Sequence, residues 1–110
     1  MQISARHLDK ITIFDISGDI DLATSPLLRK ALLRELRELR MPRVVLNLTA
    51  VRYIDSSGVA SLVEGLKASR DVSSRFILFG LNTTIREVLQ LSKLVKIFEI
   101  CENEEQAVAP

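Results

Sequence analysis

The hydrophobic pattern of this chain changes period several times, and each change marks an element. Gln2 to Leu8 and Lys10 to Ser17 alternate apolar and polar positions around Asp9-Lys10, which predicts an antiparallel pair or hairpin. Ser25-Pro26 then opens a helix, with Ser25 as N-cap and Pro26 as the first helical residue, where a missing N–H costs nothing. The helix runs to about Arg40, with Leu28, Leu32, Leu36 and Leu39 on one side and Arg29, Arg34, Glu35, Arg37 and Glu38 mostly on the other; Met41-Pro42 ends it. Val44-Val45-Leu46-Asn47-Leu48 hardly alternates, the pattern of a central strand covered on both faces. Val59, Leu62, Val63 and Leu66 then fall at i, i+3, i+4 and i+7 of a helix with one buried face.

Phe76 to Gly80 has the character of a second buried strand, and Thr83/Thr84 to Gln90 that of a short helix with Ile85, Val88 and Leu89 inward. Lys96 to Cys101 alternates, as a strand nearer an edge would, and residues 103–110 form a tail or a short terminal helix. The order β-β-α-β-α-β-α-β predicts a single α/β domain over residues 1–110: a mixed, mostly parallel sheet of about five strands with three to four helices packed on it. Loops beyond strand C-termini form the functional edge of such sheets, and three gather there: Gly18 to Ser25, Ala50 to Gly58, and Gly80 to Thr84.

Composition narrows the partners. Fifteen Lys and Arg nearly cancel fourteen Asp and Glu, which argues against nucleic acid and an anionic membrane. One cysteine, Cys101, makes no internal disulfide, and the N-terminus carries no basic segment followed by an apolar core, so a cytoplasmic setting is expected. The apolar runs fall far short of the ~20 residues of a spanning helix. No apolar stripe is left over once the helices cover the sheet, so a monomer is expected.

Asp55-Ser56-Ser57-Gly58 is the most chemically suggestive stretch, because it puts two hydroxyls where a strand turns into a helix. Backbone N–H groups lack partners there and the helix dipole is positive, so the place suits capping, an anion or modification. Catalysis lacks its parts. The single histidine, His7, lies in the first strand, far in sequence from Ser56 and Ser57, and reads as a surface residue. Neither a G-x-S-x-G elbow nor a G-x-x-x-x-G-K-[ST] phosphate loop is present. One Cys and one His cannot make a tetrahedral zinc site, and no cofactor is expected. Asp19, Asp21 and Asp55 resemble the acidic set of a magnesium-dependent phosphotransferase, but Ala23 stands where that signature wants Thr or Val.

Gly18-Asp19-Ile20-Asp21, Val44 to Leu48, Tyr53-Ile54-Asp55-Ser56-Ser57-Gly58, Phe79-Gly80-Leu81 and Leu91 to Phe98, in that order and spacing, resemble a bacterial STAS domain. The similarity is greatest to the anti-sigma factor antagonists. It implies a protein-binding module and no enzyme, whose partner is an anti-sigma factor serine kinase of histidine-kinase-like ATPase fold, with a serine phosphatase to reset it. Only the unphosphorylated antagonist binds the kinase and releases the sigma factor.

The resemblance makes Ser57 the phosphate acceptor, ahead of Ser56, and sets Asp19, Asp21, Asp55, Ser56, Gly58, Asn82 and Thr83 on the partner-facing edge. Ser57 stands at the helix N-cap, or in the first turn if Asp55 is the cap, where a phosphate would meet free N–H groups without unfolding anything. The family often has a second glycine after the serine; here Val59-Ala60-Ser61 follow, and Ala60 is expected to keep the helix start close-packed. Other STAS domains serve in stress-signalling assemblies or as subunits of a lipid-transporter ATPase complex, and that alternative stays open.

Overall fold

A computed structural model describes residues 1–110. Strands β1 (Gln2–Leu8), β2 (Ile11–Ile20), β3 (Arg43–Ile54), β4 (Arg75–Phe79) and β5 (Glu99–Cys101) form one sheet in the order β1-β2-β3-β4-β5. β1 and β2 are the expected antiparallel hairpin, paired from Gln2 with Ser17 to Leu8 with Ile11. The remaining neighbours are parallel. Helices α1 (Ser25–Leu33), α2 (Ser56–Asp71), α3 (Thr83–Leu91) and α4 (Glu104–Ala107) complete the expected element order.

The main core lies between the sheet and the helices: Phe14, Ile16, Leu46, Leu48, Phe76 and Leu78 from the strands meet Leu28, Leu32, Leu62, Leu66 and Ile85 from α1, α2 and α3. Burying a side chain of this size contributes about 1.5–3 kcal/mol. The opposite face carries a smaller cluster, Ile13, Val45, Ile77 and Phe79, covered by Ala107 of α4. Val45 and its neighbours are thus buried from both sides, which is why Val44 to Leu48 shows no alternation.

Several boundaries differ from the sequence expectation, each for a physical reason. β3 continues from Leu48 to Ile54 because β2 pairs with it as far as Ile20–Ile54, while β4 stops opposite Asn47. Only one neighbour flanks this second half, so polar Thr49, Arg52 and Tyr53 are tolerated on it. β2 likewise runs past Ser17 to Ile20, through register shifts on either side of Ser17-Gly18, where Gly18 adopts φ +87°. The expected loops Gly18 to Ser25 and Ala50 to Gly58 therefore shrink to Asp21–Thr24 and Asp55. β5 is three residues long rather than starting at Lys96; Phe98 before it turns in against Phe76.

The first helix also corrects the reading. Thr24, not Ser25, is the N-cap residue, so Pro26 is the second helical position; Ser25 is buried, and its carbonyl accepts from the Ser61 hydroxyl at 3.2 Å. After Leu33 the helix widens into a π turn over Arg34–Glu38, closed by the Leu39 N–H donating to the Arg34 carbonyl at 3.0 Å. The wider turn rotates Leu39 off the apolar stripe and leaves it 49 % exposed. Glu35, placed with the solvent-facing charges above, is instead buried, because it falls at i+7 from Leu28; its carboxylate meets His7 Nε2 at 2.9 Å.

Candidate functional site

The parallel strands β2, β3 and β4 end on one edge, and α2 begins there one residue after β3. Asp55 is that residue and the N-cap of α2. Its Oδ1 accepts from the Gly58 N–H at 3.0 Å and from the Ser57 hydroxyl at 2.5 Å. Its Oδ2 accepts from the N–H of Leu22, in the turn between β2 and α1, at 3.1 Å. The Asp55 N–H in turn donates to the Ile20 carbonyl at 3.1 Å. One carboxylate thus joins the start of α2, the turn before α1 and the Ser57 hydroxyl.

These donors favour the charged form. The Ser57 hydroxyl first, and then the Gly58 N–H, hold the Asp55 carboxyl below the usual carboxylate range. Asp55 is ionised at neutral pH and, so depressed, a weak base. Of the N–H groups that a phosphate on Ser57 was expected to meet, that of Gly58 is therefore already taken by this carboxylate.

Gly58 is required for a reason other than a turn. A Cβ there would stand 2.6 Å from Ile54 Cγ1 and 2.8 Å from the Ile20 carbonyl oxygen. The helix start rests directly on the ends of β2 and β3, and only glycine allows that approach. Ala60, expected to preserve this packing, is exposed and takes no part in it. Ser57 itself is half-buried and Ser56 exposed.

The other candidate residues fall into two groups. Asp21 folds its carboxylate into its own turn, accepting from the N–H groups of Ala23 and Thr24 at 3.1 Å each. Asp19 faces Arg52 at 3.6 Å. The three carboxylates Asp19, Asp21 and Asp55 are each engaged elsewhere, with no common focus. Across the end of β3, the Asn82 Oδ1 caps α3 by accepting from the Ile85 N–H at 2.8 Å, and its Nδ2 donates to the Val51 carbonyl at 3.1 Å. Asn82 thus has a structural post, whereas Thr83 beside it is exposed.

Two exposed residues near the site were given no role by the sequence reading. Leu22, whose N–H Asp55 holds, is 77 % exposed, and Tyr53 at the end of β3 is 49 % exposed. With Ala60 they give the edge an apolar, neutral component beside the serines. The available signal was Leu22 itself, a large apolar residue in a turn of Asp, Ala and Thr.

Residues 2–107 match the model of the STAS domain. The chain belongs to the STAS family. Among curated relatives it is 34 % identical over 101 residues to the anti-sigma-B factor antagonist of Listeria monocytogenes, covering 91 % of this chain and 86 % of that one. The fold matches that of an anti-sigma factor antagonist from Mycobacterium paratuberculosis with a TM-score of 0.87 at 22 % identity, over 97 % of this chain and 90 % of that one. It also matches the Bacillus cell fate determinant SpoIIAA in its phosphorylated form, with a TM-score of 0.76 at 20 % identity, over 97 % and 96 % of the two chains. A relative at this identity over most of both chains sets this STAS domain among the antagonists. No helix is long and apolar enough to cross a membrane.

Proposed function

We propose that this STAS domain is a phospho-switched anti-sigma factor antagonist, acting in the cytoplasm as a binding module without catalysis of its own. Unphosphorylated, it binds an anti-sigma factor that is also a serine kinase and so frees the sigma factor; Ser57 is the residue the kinase modifies and a serine phosphatase restores. The observation that carries this reading is the Ser57 hydroxyl, half-exposed at the start of α2 and donating its hydrogen bond to an ionised carboxylate. The Listeria relative is named for the same activity.

The switch follows from the atoms Asp55 holds. Phosphorylation removes the hydroxyl proton that Ser57 donates and puts about −1.5 to −2 charges at that oxygen. Asp55, already ionised and holding the Gly58 N–H, repels the phosphate. Relief comes by the phosphate turning outward over Ser56, or by Asp55 leaving its cap and releasing the Leu22 N–H. Both alter the surface made by Leu22, Ser56 and Ala60, where the partner docks. Asp19, Asp21, Tyr53 and Thr83 form its border.

The test is incubation with the cognate kinase and ATP, followed by mass spectrometry and a binding measurement. One added phosphate is expected on the wild-type protein and none on Ser57→Ala, with binding abolished by the phosphate and retained in that variant. A phosphate persisting in Ser57→Ala overturns the assignment to Ser57. Tight co-purification with an ATPase of a transporter, with no phosphate on the chain, overturns the sigma-regulator reading in favour of a transporter subunit.

A further inference from the structure

We infer that the outward face of α1 and its π turn is a second docking surface, shaped for an acidic protein segment. Lys30, near the end of α1, and Arg34 and Arg37, in the π turn, form a cationic row along one groove. All three are exposed, and none makes an ion pair. With Pro26, Arg29, Leu33 and Glu38 they line a groove of about 550 Å³.

The near-neutral chain conceals this segregation. Residues 29–40 hold five cations, Arg29, Lys30, Arg34, Arg37 and Arg40, against two acids, Glu35 and Glu38, while residues 99–105 hold four acids, Glu99, Glu102, Glu104 and Glu105, and no cation. Like charges at i, i+4 repel, so the row costs the helix something and returns nothing to a core made by Leu28, Leu32 and Leu36. Where a carboxylate is within reach it is taken: neighbouring Arg29 is paired with Glu64 of α2. The row itself has no such partner within the fold.

The local chemistry favours a protein over a polyanion. Guanidinium groups grip carboxylates through two parallel hydrogen bonds, and Pro26 and Leu33 offer contact to apolar side chains between those carboxylates. A nucleic acid or an anionic membrane needs a field reaching beyond a few cations, and a net charge of +1 does not supply one. Glu38 in the groove and Glu64 beside it would repel a continuous run of phosphates, whereas a short segment can place its carboxylates between them. The surface lies on a different helix from Ser57, so this reading stands apart from the phospho-switch.

The test is fluorescence anisotropy with a labelled synthetic helical peptide carrying glutamates at i, i+4 and i+7 and leucines beside them. Binding at about 50 mM salt is expected to weaken by about tenfold in the triple variant Lys30→Gln, Arg34→Gln, Arg37→Gln, as three partly exposed ion pairs are lost. Each single variant is expected to weaken it by about two- to threefold, so a poorly folded triple variant does not remove the test. Ser57→Ala should leave it unchanged. Absence of binding to the wild-type protein, equal binding to wild type and variants, or tighter binding of duplex DNA or phosphatidylserine vesicles than of the peptide overturns the proposal.

Discussion

Helices α2 and α3 both start at the end of a strand, and each has an N-cap whose side-chain oxygen accepts from the N–H three residues on: Asp55 from Gly58 at 3.0 Å, Asn82 from Ile85 at 2.8 Å. The remaining atoms of the two caps differ. Asn82 is neutral and spends its amide on the carbonyls of Val51 and Arg52, closing the end of β3. Asp55 is charged, and its spare oxygen capacity goes to the Leu22 N–H and the Ser57 hydroxyl. The third residue of each helix differs too: Ile85 fills the core, while Gly58 must have no side chain because the strand ends lie against it. A neutral cap tied to backbone only holds a fold together. A charged cap that shares a hydroxyl with solvent can be disturbed by adding one charged group, which is the basis of the switch proposed above.

Emptying the core at the α3 start should do the most damage. Ile85→Ala removes a fully buried side chain and should cost about 3 kcal/mol, measured by chemical denaturation. Gly58→Ala does the reverse at α2: its Cβ meets the Ile20 carbonyl oxygen, a backbone atom that cannot rotate away, and a loss of about 2 kcal/mol is expected. Partner binding separates the two further. Ile85→Ala should leave the affinity of the folded fraction unchanged, whereas Gly58→Ala should lower it, because α2 has to lift from β2 and β3. Equal binding by both variants would mean that the seating of α2 does not shape the docking edge.

The sequence reading succeeded where one face of an element is buried and failed where a residue's partner is distant in the chain. Alternation in Lys96–Cys101 and its absence in Val44–Leu48 located an edge strand and a central one correctly, since β5 closes one side of the sheet and β3 is covered on both faces. The second half of β3 was missed because Thr49, Arg52 and Tyr53 follow a half-open ladder rather than a covered one. Glu35 was placed outside by its charge, and only His7, 28 positions away, makes its burial tolerable. The Asp-Ser-Ser-Gly stretch was legible as a helix start, and Asp55 as cap was one of the two readings its residues allowed. The Leu22 tie was not legible, since nothing local announces a hydrogen bond spanning 33 positions.

Replacing the two caps compares them directly. Asn82→Ala should cost about 1–2 kcal/mol, because it removes the α3 cap and strips the Val51 carbonyl of its donor. Asp55→Asn should cost less at neutral pH, since asparagine caps as well as aspartate and keeps one oxygen for the Gly58 N–H. Its amide nitrogen, however, confronts the Leu22 N–H, two donors facing each other, so the turn before α1 loosens and amide exchange at Leu22 accelerates. The pH dependence tests the charge. Asp55 has a depressed folded-state pKa, so its contribution to stability is fully present above the unfolded value of about 4 and disappears as pH falls through the folded value. The asparagine variant lacks that loss. Asp15, held down first by Arg6, and Glu99, held down first by Arg75, are lost on acidification in both proteins and cancel in the comparison. The stability gap between wild type and Asp55→Asn should therefore narrow as pH falls below about 4, while the gap between wild type and Asn82→Ala stays constant, the substituted side chains there carrying no charge. A gap to Asp55→Asn that does not move with pH would show that Asp55 holds Ser57 and Leu22 by its shape and not by its charge, and would remove the electrostatic basis of the switch.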